Sequence, residues 1–154
     1  MLLSHSSQGK RLNLGTALKI VVTVILPLSI GCYLYLFSRS SNPNFLSWVG
    51  FRTSGGLQLP YWVTYNLPDG LWLFALCNMN RFIWLTNFSG YVTWSIITLL
   101  LAFITELFQK KKFIPGTYDT GDLIAYAIAF LLALLLFIFN QYSPSIPSSD
   151  EKQN

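Results

Sequence analysis

Residues 121–142 read "GDLIAYAIAFLLALLLFIFNQY", and no charged side chain follows Asp122 in this stretch. An uncharged apolar run of about 18 residues or more can cross the hydrocarbon core of a bilayer as a helix. The composition of the whole chain agrees, because 53% of its residues are hydrophobic and only 10% are charged. A soluble domain has about 25% charged residues, so this chain has too few to cover a water-facing surface. The sequence therefore predicts an integral membrane protein.

Three further apolar segments precede this one, and the four together predict a single transmembrane domain, residues 16–142. The predicted spans cover about residues 16–37, 68–86, 91–109 and 121–142. Pro27 lies in the middle of the first span, where we expect it to kink the helix. Pro68 suits the first turn of the second span, and Asp69 complements the positive N-terminal end of that helix. The predicted fold is an all-α bundle of four transmembrane helices.

The segment between the first two spans, residues 38–67, has a different composition from the spans. Pro, Gly, Ser and Asn punctuate it, and it contains four amphipathic aromatics: Trp48, Tyr61, Trp62 and Tyr65. Such side chains concentrate at the boundary between membrane and water. We therefore expect an aromatic-rich interfacial loop. The polar ends of the chain, residues 1–15 and 143–154, are predicted to be tails, and the C-terminal one is expected to be disordered.

Several kinds of site and partner are disfavoured by the residues that the chain lacks. Its net charge of +4 comes without a nucleic-acid-binding motif, so we expect membrane lipids rather than nucleic acid as partners. The single histidine, His5, lies in the N-terminal tail, which leaves none in the spans for a catalytic pair or for haem or zinc. Cys32 and Cys77 fall within apolar segments and are expected to pack as small residues. We predict no cofactor and no metal centre.

Four spans place the first-to-second loop and the third-to-fourth loop on the same face of the membrane. Six polar or charged residues fall in these loops or at the adjoining ends of the spans. These candidate ligand-binding residues are Glu106, Gln109, Asp119, Asp122, Asp69 and Arg52. The lysine run at residues 110–112 lies on the same face. Because basic residues occur on both faces, the orientation of the domain in the membrane is left open.

Glu106 is the candidate that helix capping does not explain. It ends the third span, and a carboxylate at the C-terminal end of a helix is disfavoured by the helix dipole. An ionisable side chain at the edge of the hydrocarbon needs a partner or a polar pocket, which makes it a candidate functional residue. Asp119 and Asp122 differ, because N-capping and dipole stabilisation at the start of the fourth span are sufficient reasons for both. A structural role for these two residues and for Asp69 is left open.

Two motifs in the C-terminal part of the chain resemble a known family. The stretch "TELFQ", residues 105–109, and the stretch "GTYDTGDLIAYAIAF", residues 116–130, are similar to the C-terminal half of VanZ-like proteins, a family of small bacterial membrane proteins. In that family a Glu and a Gln end one helix, and an Asp-containing segment opens the last helix. The matching positions here are Glu106, Gln109, Asp119 and Asp122. The chain departs from the family pattern at Gly116 and Thr117, where an arginine is usual, and at Tyr126, where an asparagine is usual.

The resemblance implies an envelope role in the bacterial cytoplasmic membrane, associated with low-level resistance to a glycopeptide antibiotic of the teicoplanin type, and it implies no reaction. We favour a non-enzymatic protein whose carboxylates bind a polar lipid headgroup or an amphiphilic drug. One alternative is an intramembrane enzyme acting on a lipid or lipid-linked headgroup, with carboxylates in acid–base or cation-binding roles. Another is a small structural or assembly subunit. Oligomerisation is left open.

Overall fold

The structure is a computed structural model that describes residues 14–38 and 58–142, with side chains up to residue 140. All regular secondary structure in these residues is helical, as predicted. We number the helices α1 (Leu14–Phe37), α2 (Tyr61–Tyr65), α3 (Leu67–Ile83), α4 (Phe88–Lys110) and α5 (Thr120–Tyr142). The candidate residue Arg52 and most of the predicted interfacial loop lie outside the described residues. Nearly all of the N-terminal tail and the whole C-terminal tail also lie outside them.

Three of these helices are long and apolar enough to cross a membrane: α1, α4 and the Thr120–Asn140 part of α5. Their mean hydropathies are 2.2, 1.8 and 2.6, respectively, which is the pattern of an integral membrane protein. α3 has only 17 residues, or about 25 Å of helix, against about 30 Å of hydrocarbon. The predicted second span, residues 68–86, has 19 residues and extends past the end of this helix. α3 ends at Ile83, Trp84 leaves the helical conformation, and Asn87 then caps α4.

α3 is the central helix, because it packs against α1, α4 and α5. Its side chains Ala75, Cys77 and Asn78 are fully buried. Since neighbouring helices cover these positions, α3 does not need the apolar surface that a lipid-facing helix needs. Its polar side chains instead face protein. Nδ2 of Asn80, for example, donates a 3.4 Å hydrogen bond to Oγ1 of Thr98 on α4, as amides between membrane helices commonly do.

Small residues allow α3 to lie close to its neighbours. A Cβ added to Gly70 would lie 3.2 Å from Cβ of Ala125 on α5, and one added to Gly31 on α1 would lie 2.6 Å from Nε1 of Trp72. The buried apolar cluster between α3 and α5 consists of Leu73, Cys77, Tyr126, Ala129 and Ala133. The core of the structure is therefore the interface between α3 and α5.

The irregularity predicted at Pro27 is found one turn before it. A π-helical turn, Val21–Ile25, precedes the buried proline. Proline has no N–H to donate, and its ring crowds the carbonyl four residues earlier. A wider turn at that point accommodates both effects, so α1 continues without a break to Phe37.

The helices have two ends with different charges. α3 and α5 run in the same direction, because Asn66 before α3 contacts Gly121 at the start of α5, and the helices stay in contact from there. α1 runs in the opposite direction, because Lys19 near its start reaches Asn140 near the end of α5. We call the end with the starts of α3 and α5 the carboxylate end. The opposite end, with Lys19 and Arg81, is called the basic end.

Candidate functional site

Asn66 connects the polar side chains of the carboxylate end. It lies between α2 and α3 and is only 7% exposed. Its Nδ2 donates one hydrogen bond to Oδ2 of Asp119 at 3.0 Å and another to Oδ1 of Asp122 at 2.8 Å. Although Asn66 occupies the N-cap position of α3, its side chain makes no capping bond there. The amide therefore joins the start of α3 to the start of α5 instead of stabilising its own helix.

Asp119 accepts hydrogen bonds from three donors on different segments. Its Oδ1 accepts from the backbone N–H of Gly121 at 2.8 Å, which caps the start of α5. Its Oδ2 accepts from Asn66 and from the Tyr61 hydroxyl, the latter at 3.1 Å. The Gly121 N–H first, and then the Asn66 amide, hold the pKa of Asp119 below its ordinary value of 3.8. The same contact raises the pKa of Tyr61, chiefly because its hydroxyl donates to Asp119. Asp119 is therefore a carboxylate at neutral pH.

Glu106 lies in the last turns of α4 and is buried, with 3% of its surface exposed. Its Oε2 accepts a hydrogen bond of 3.4 Å from the backbone N–H of Asp119. It also interacts electrostatically with Asp119 and with Asp122, which is 8% exposed. We refer to Glu106, Asp119 and Asp122 as the carboxylate cluster. The cluster concentrates carboxyl groups at one end of the helices, and Asp119 carries a negative charge there.

The other predicted site residues have different relationships to this cluster. Asp69 is half-buried in the first turn of α3, and it interacts with the phenol of Tyr126, which also interacts with Glu106 and Asp122. Asp69 therefore lies near the cluster. Gln109 packs against the loop after α4, since a Cβ on Gly116 would lie 2.6 Å from its Cδ. Its contact is with the loop backbone, at a glycine whose φ of +143° disfavours other residues.

A groove of about 530 Å³ lies beside the cluster, between α3 and α5. Its walls are almost entirely apolar, and Asn66 lies at one end of it. Its lining includes Trp62, Asn66, Gly70, Phe74, Ile124 and Ile128. On α5 the lining runs from Gly121 to Leu132, about 17 Å of helix. The groove therefore extends from the polar carboxylate end into the apolar part of the structure.

The sequence predicts neither the role of Asn66 nor the groove. Asn66 stands directly before Leu67 and Pro68, where an asparagine is usually interpreted as a helix cap. The residues that leave space for the groove are small, and small residues also occur where helices simply pack. Tyr61 and Trp62 were predicted to lie at the membrane boundary, which is a signal for position rather than for a binding site.

Within residues 14–38 and 58–140, no group of three or more His, Cys, Asp or Glu side chains is arranged to hold a metal ion.

No protein-family model matches this chain, and no curated protein or solved structure is significantly similar to it. The resemblance to VanZ-like proteins therefore depends on the two motifs at residues 105–109 and 116–130.

Proposed function

We propose that this chain is a multi-pass membrane protein that binds an amphiphile. The apolar chain of the ligand would lie in the groove between α3 and α5, and its head group would lie against the carboxylate cluster. The observation that supports this most directly is the position of the groove. It is apolar along its length and ends at Asn66, whose amide is bonded to Asp119 and Asp122. An amphiphile has the same division into an apolar and a polar part.

The carboxylate cluster favours one class of head group. Its groups accept hydrogen bonds, so the head group should donate them or be positively charged. Trp62 lines the groove at the same end and is 60% exposed, which leaves its ring available to a cation. An anionic head group would be repelled by Asp119, which is ionised at neutral pH. Amines and hydroxyl-rich head groups therefore fit, and phosphate or sulfonate groups do not.

The membrane arrangement that we propose has four helices, with α3 as a short fourth span. α1, α4 and α5 would face the lipid, and α3 would be covered by them except along the groove. The groove would then be open to lipid, so a ligand could enter from the bilayer. The resemblance to VanZ-like proteins supports the bacterial cytoplasmic membrane as the location. It also supports an envelope role, with an amphiphilic glycopeptide of the teicoplanin type as one ligand.

A second candidate function is that of a small structural subunit, and the Asp119 cap on α5 favours it. In that case the hydrogen bonds between Asn66 and the two aspartates would only hold helices together. The two functions predict different effects for a substitution that fills the groove. A bulky side chain in the groove would prevent ligand binding but would leave the hydrogen bonds at the carboxylate end intact.

The test compares two ligands with the same alkyl chain, an alkyltrimethylammonium and an alkyl sulfonate. Native mass spectrometry of the purified full chain measures how much of each stays bound. We expect the cationic amphiphile to be preferred, and Ile128→Trp, which fills the groove from its 53% exposed side, to weaken its binding about tenfold. The matched control is Leu101→Trp, at a 59% exposed position on α4 away from the groove. Equal retention of both amphiphiles, or equal effects of the two substitutions, would overturn the proposal.

A second experiment, in cells, tests whether the groove contributes to glycopeptide resistance. The parent, Ile128→Trp and Leu101→Trp would be expressed in a bacterium sensitive to a teicoplanin-type antibiotic, at matched protein levels. We expect protection by the parent and by Leu101→Trp only. If all three change the sensitivity equally, the groove has no part in the effect, and the structural function is preferred.

A further inference from the structure

A second cavity, of about 260 Å³, lies at the basic end, far from the carboxylate cluster. It is formed by the start of α1, the end of α3 and the end of α5. The residues that matter to its chemistry are Thr16, Lys19, Arg81, Phe82, Phe137 and Asn140. Unlike the groove, this cavity has polar walls and two cationic side chains. It is independent of the proposed amphiphile site.

Arg81 is a buried cation in this wall. The residue is only 6% exposed, and its guanidinium lies 5.2 Å from the centre of the Phe82 ring. An arginine side chain stays protonated in proteins. Burying a charge in an apolar setting is costly unless an opposite charge or several hydrogen bonds compensate it. Because Arg81 lines the cavity, an anion that occupies the cavity can accept from its guanidinium and compensate the charge.

The described part of the chain does not provide an anionic partner. Of the six acidic residues, four are described, and all of them lie near the carboxylate end: Asp69, Glu106, Asp119 and Asp122. Asp69, on the same helix, is twelve positions before Arg81, or about 18 Å away along α3. The other two, Asp150 and Glu151, belong to the C-terminal segment outside the described residues. Within the described residues, then, no carboxylate pairs with Arg81.

Lys19 adds a second positive charge at the same cavity. Its Nζ donates a hydrogen bond of 3.1 Å to Oδ1 of Asn140, so the amine is held across the gap between α1 and α5. Asn140 is itself oriented, because its Nδ2 donates to the carbonyl of Leu136 at 2.8 Å. Thr16 lies three residues before Lys19 and therefore on the same face of α1. Two cations and a hydroxyl thus converge on one small cavity.

We infer that this cavity binds a phosphate group, either the phosphodiester of an anionic phospholipid or free inorganic phosphate. A guanidinium presents its donors as a planar fork that matches phosphate oxygens, and charge-assisted bonds of this kind are strong. Lys19 supplies a second donor. The cavity lies at the ends of three helices, the depth at which lipid head groups occur if these helices cross the membrane. The phosphate provides a counter-charge that the described residues do not give Arg81.

The first test measures which lipid the protein retains. The full chain is placed in nanodiscs with equal amounts of phosphatidylglycerol and phosphatidylcholine, and native mass spectrometry counts the bound lipids. We expect phosphatidylglycerol to be preferred, and both Arg81→Gln and Lys19→Gln to reduce the preference about tenfold, which corresponds to about 1.4 kcal/mol. The matched control is Lys110→Gln, which removes one exposed cation at the carboxylate end. Lys19 is exposed, so its variant tests the site even where Arg81→Gln fails to fold.

The second test separates the two sources of phosphate. Inorganic phosphate is added to the protein in phosphatidylcholine alone, and the melting temperature is measured for the parent and for Lys19→Gln. A rise that the variant lacks, without any lipid preference, supports free phosphate as the ligand. Phosphate is also added to the mixed nanodiscs of the first test. If the preference for phosphatidylglycerol persists there, the ligand is the lipid. The proposal is overturned if neither effect occurs, or if Lys110→Gln reduces retention as much as Lys19→Gln. It is also overturned if the lipid preference occurs only in Asp150→Asn/Glu151→Gln, because the C-terminal segment is then the occupant.

Discussion

The side-chain amide of Asn66 donates a 2.8 Å hydrogen bond to Oδ1 of Asp122, across 56 positions of the sequence. The second hydrogen of the same amide is directed at Asp119. One neutral side chain therefore connects the start of α3 with two carboxylates at the start of α5. It also lies where the apolar groove meets the carboxylate cluster. We therefore expect Asn66 to contribute both to the stability of the fold and to the shape of the proposed binding site.

Replacing Asn66 by alanine should destabilise the protein. The substitution removes a donor from two carboxylates, one of them the buried Asp122, and a hydrogen bond to a charged group contributes about 1.5–3 kcal/mol. We expect the free energy of unfolding to fall by about 2 kcal/mol, measured by denaturant titration in detergent. Asn87→Ala is the control, because it removes an ordinary helix cap from α4 and should cost about 1 kcal/mol. An unchanged denaturation midpoint for Asn66→Ala would show that these bonds make no net contribution.

Gly121→Ala should also destabilise the protein, because the added Cβ disturbs the same Asn66 amide. Alanine is the better helix former by about 1 kcal/mol, so helix propensity alone predicts stabilisation. However, the added Cβ would lie 2.5 Å from Nδ2 of Asn66 and would displace the amide from both aspartates. We therefore expect a loss of stability in the same denaturant titration. Gly15→Ala, at a position where an added Cβ meets no atom within 4 Å, should be neutral or stabilising.

The double variant Asn66→Ala/Gly121→Ala tests whether the two changes act on one set of hydrogen bonds. If Gly121→Ala acts by moving Asn66, the combined loss should be clearly smaller than the sum of the two single losses. Additive losses would indicate that the alanine disturbs α5 by some other contact.

The sequence predicts that the acidic residues lie at one end of the helices, because this depends only on the order and direction of the helices. Successive helices alternate in direction, so the start of α3, the end of α4 and the start of α5 have to meet. Glu106 and Asp119 accordingly lie within a hydrogen bond of each other. The role of Asn66 could not be predicted in this way. Which donor or acceptor an amide selects depends on how closely α5 approaches α3, and no local pattern encodes that distance.

The length and burial of α3 show a second limit of the sequence. Hydropathy measures how well a segment tolerates lipid, but it does not report whether other helices cover the segment. Asn78 and Arg81 make α3 the most polar of the long helices, and both side chains are buried by neighbouring helices. The groove has the same origin. Gly70 and Gly121 are visible in the sequence, but the space beside them exists only because of how α3 and α5 pack.

Asp119 should make the stability of the protein depend on pH in acid. Its pKa is lowered in the folded protein, chiefly by the Gly121 N–H, whereas the unfolded chain has the ordinary value of 3.8. A carboxylate with a lowered folded pKa stabilises the fold above its unfolded pKa, and this contribution is lost as the pH falls from there through the folded pKa. We expect the denaturation midpoint of the parent to fall in that range, and that of Asp119→Asn to fall less. Parallel curves for the two proteins would contradict an ionised, hydrogen-bonded Asp119.

The two cysteines test whether α3 is the covered helix. Cys77 on α3 is fully buried, whereas Cys32 on α1 is exposed to the outside of the structure. In detergent, N-ethylmaleimide should therefore modify Cys32 in the native protein and reach Cys77 only after denaturation, because the packed core has no room for the reagent. Mass spectrometry after a timed reaction should find one adduct on the native parent and none on native Cys32→Ser. Cys77→Ser is the matched control and should keep the single adduct. Rapid modification of native Cys32→Ser would mean that Cys77 is accessible, and that α1, α4 and α5 do not enclose α3 as described.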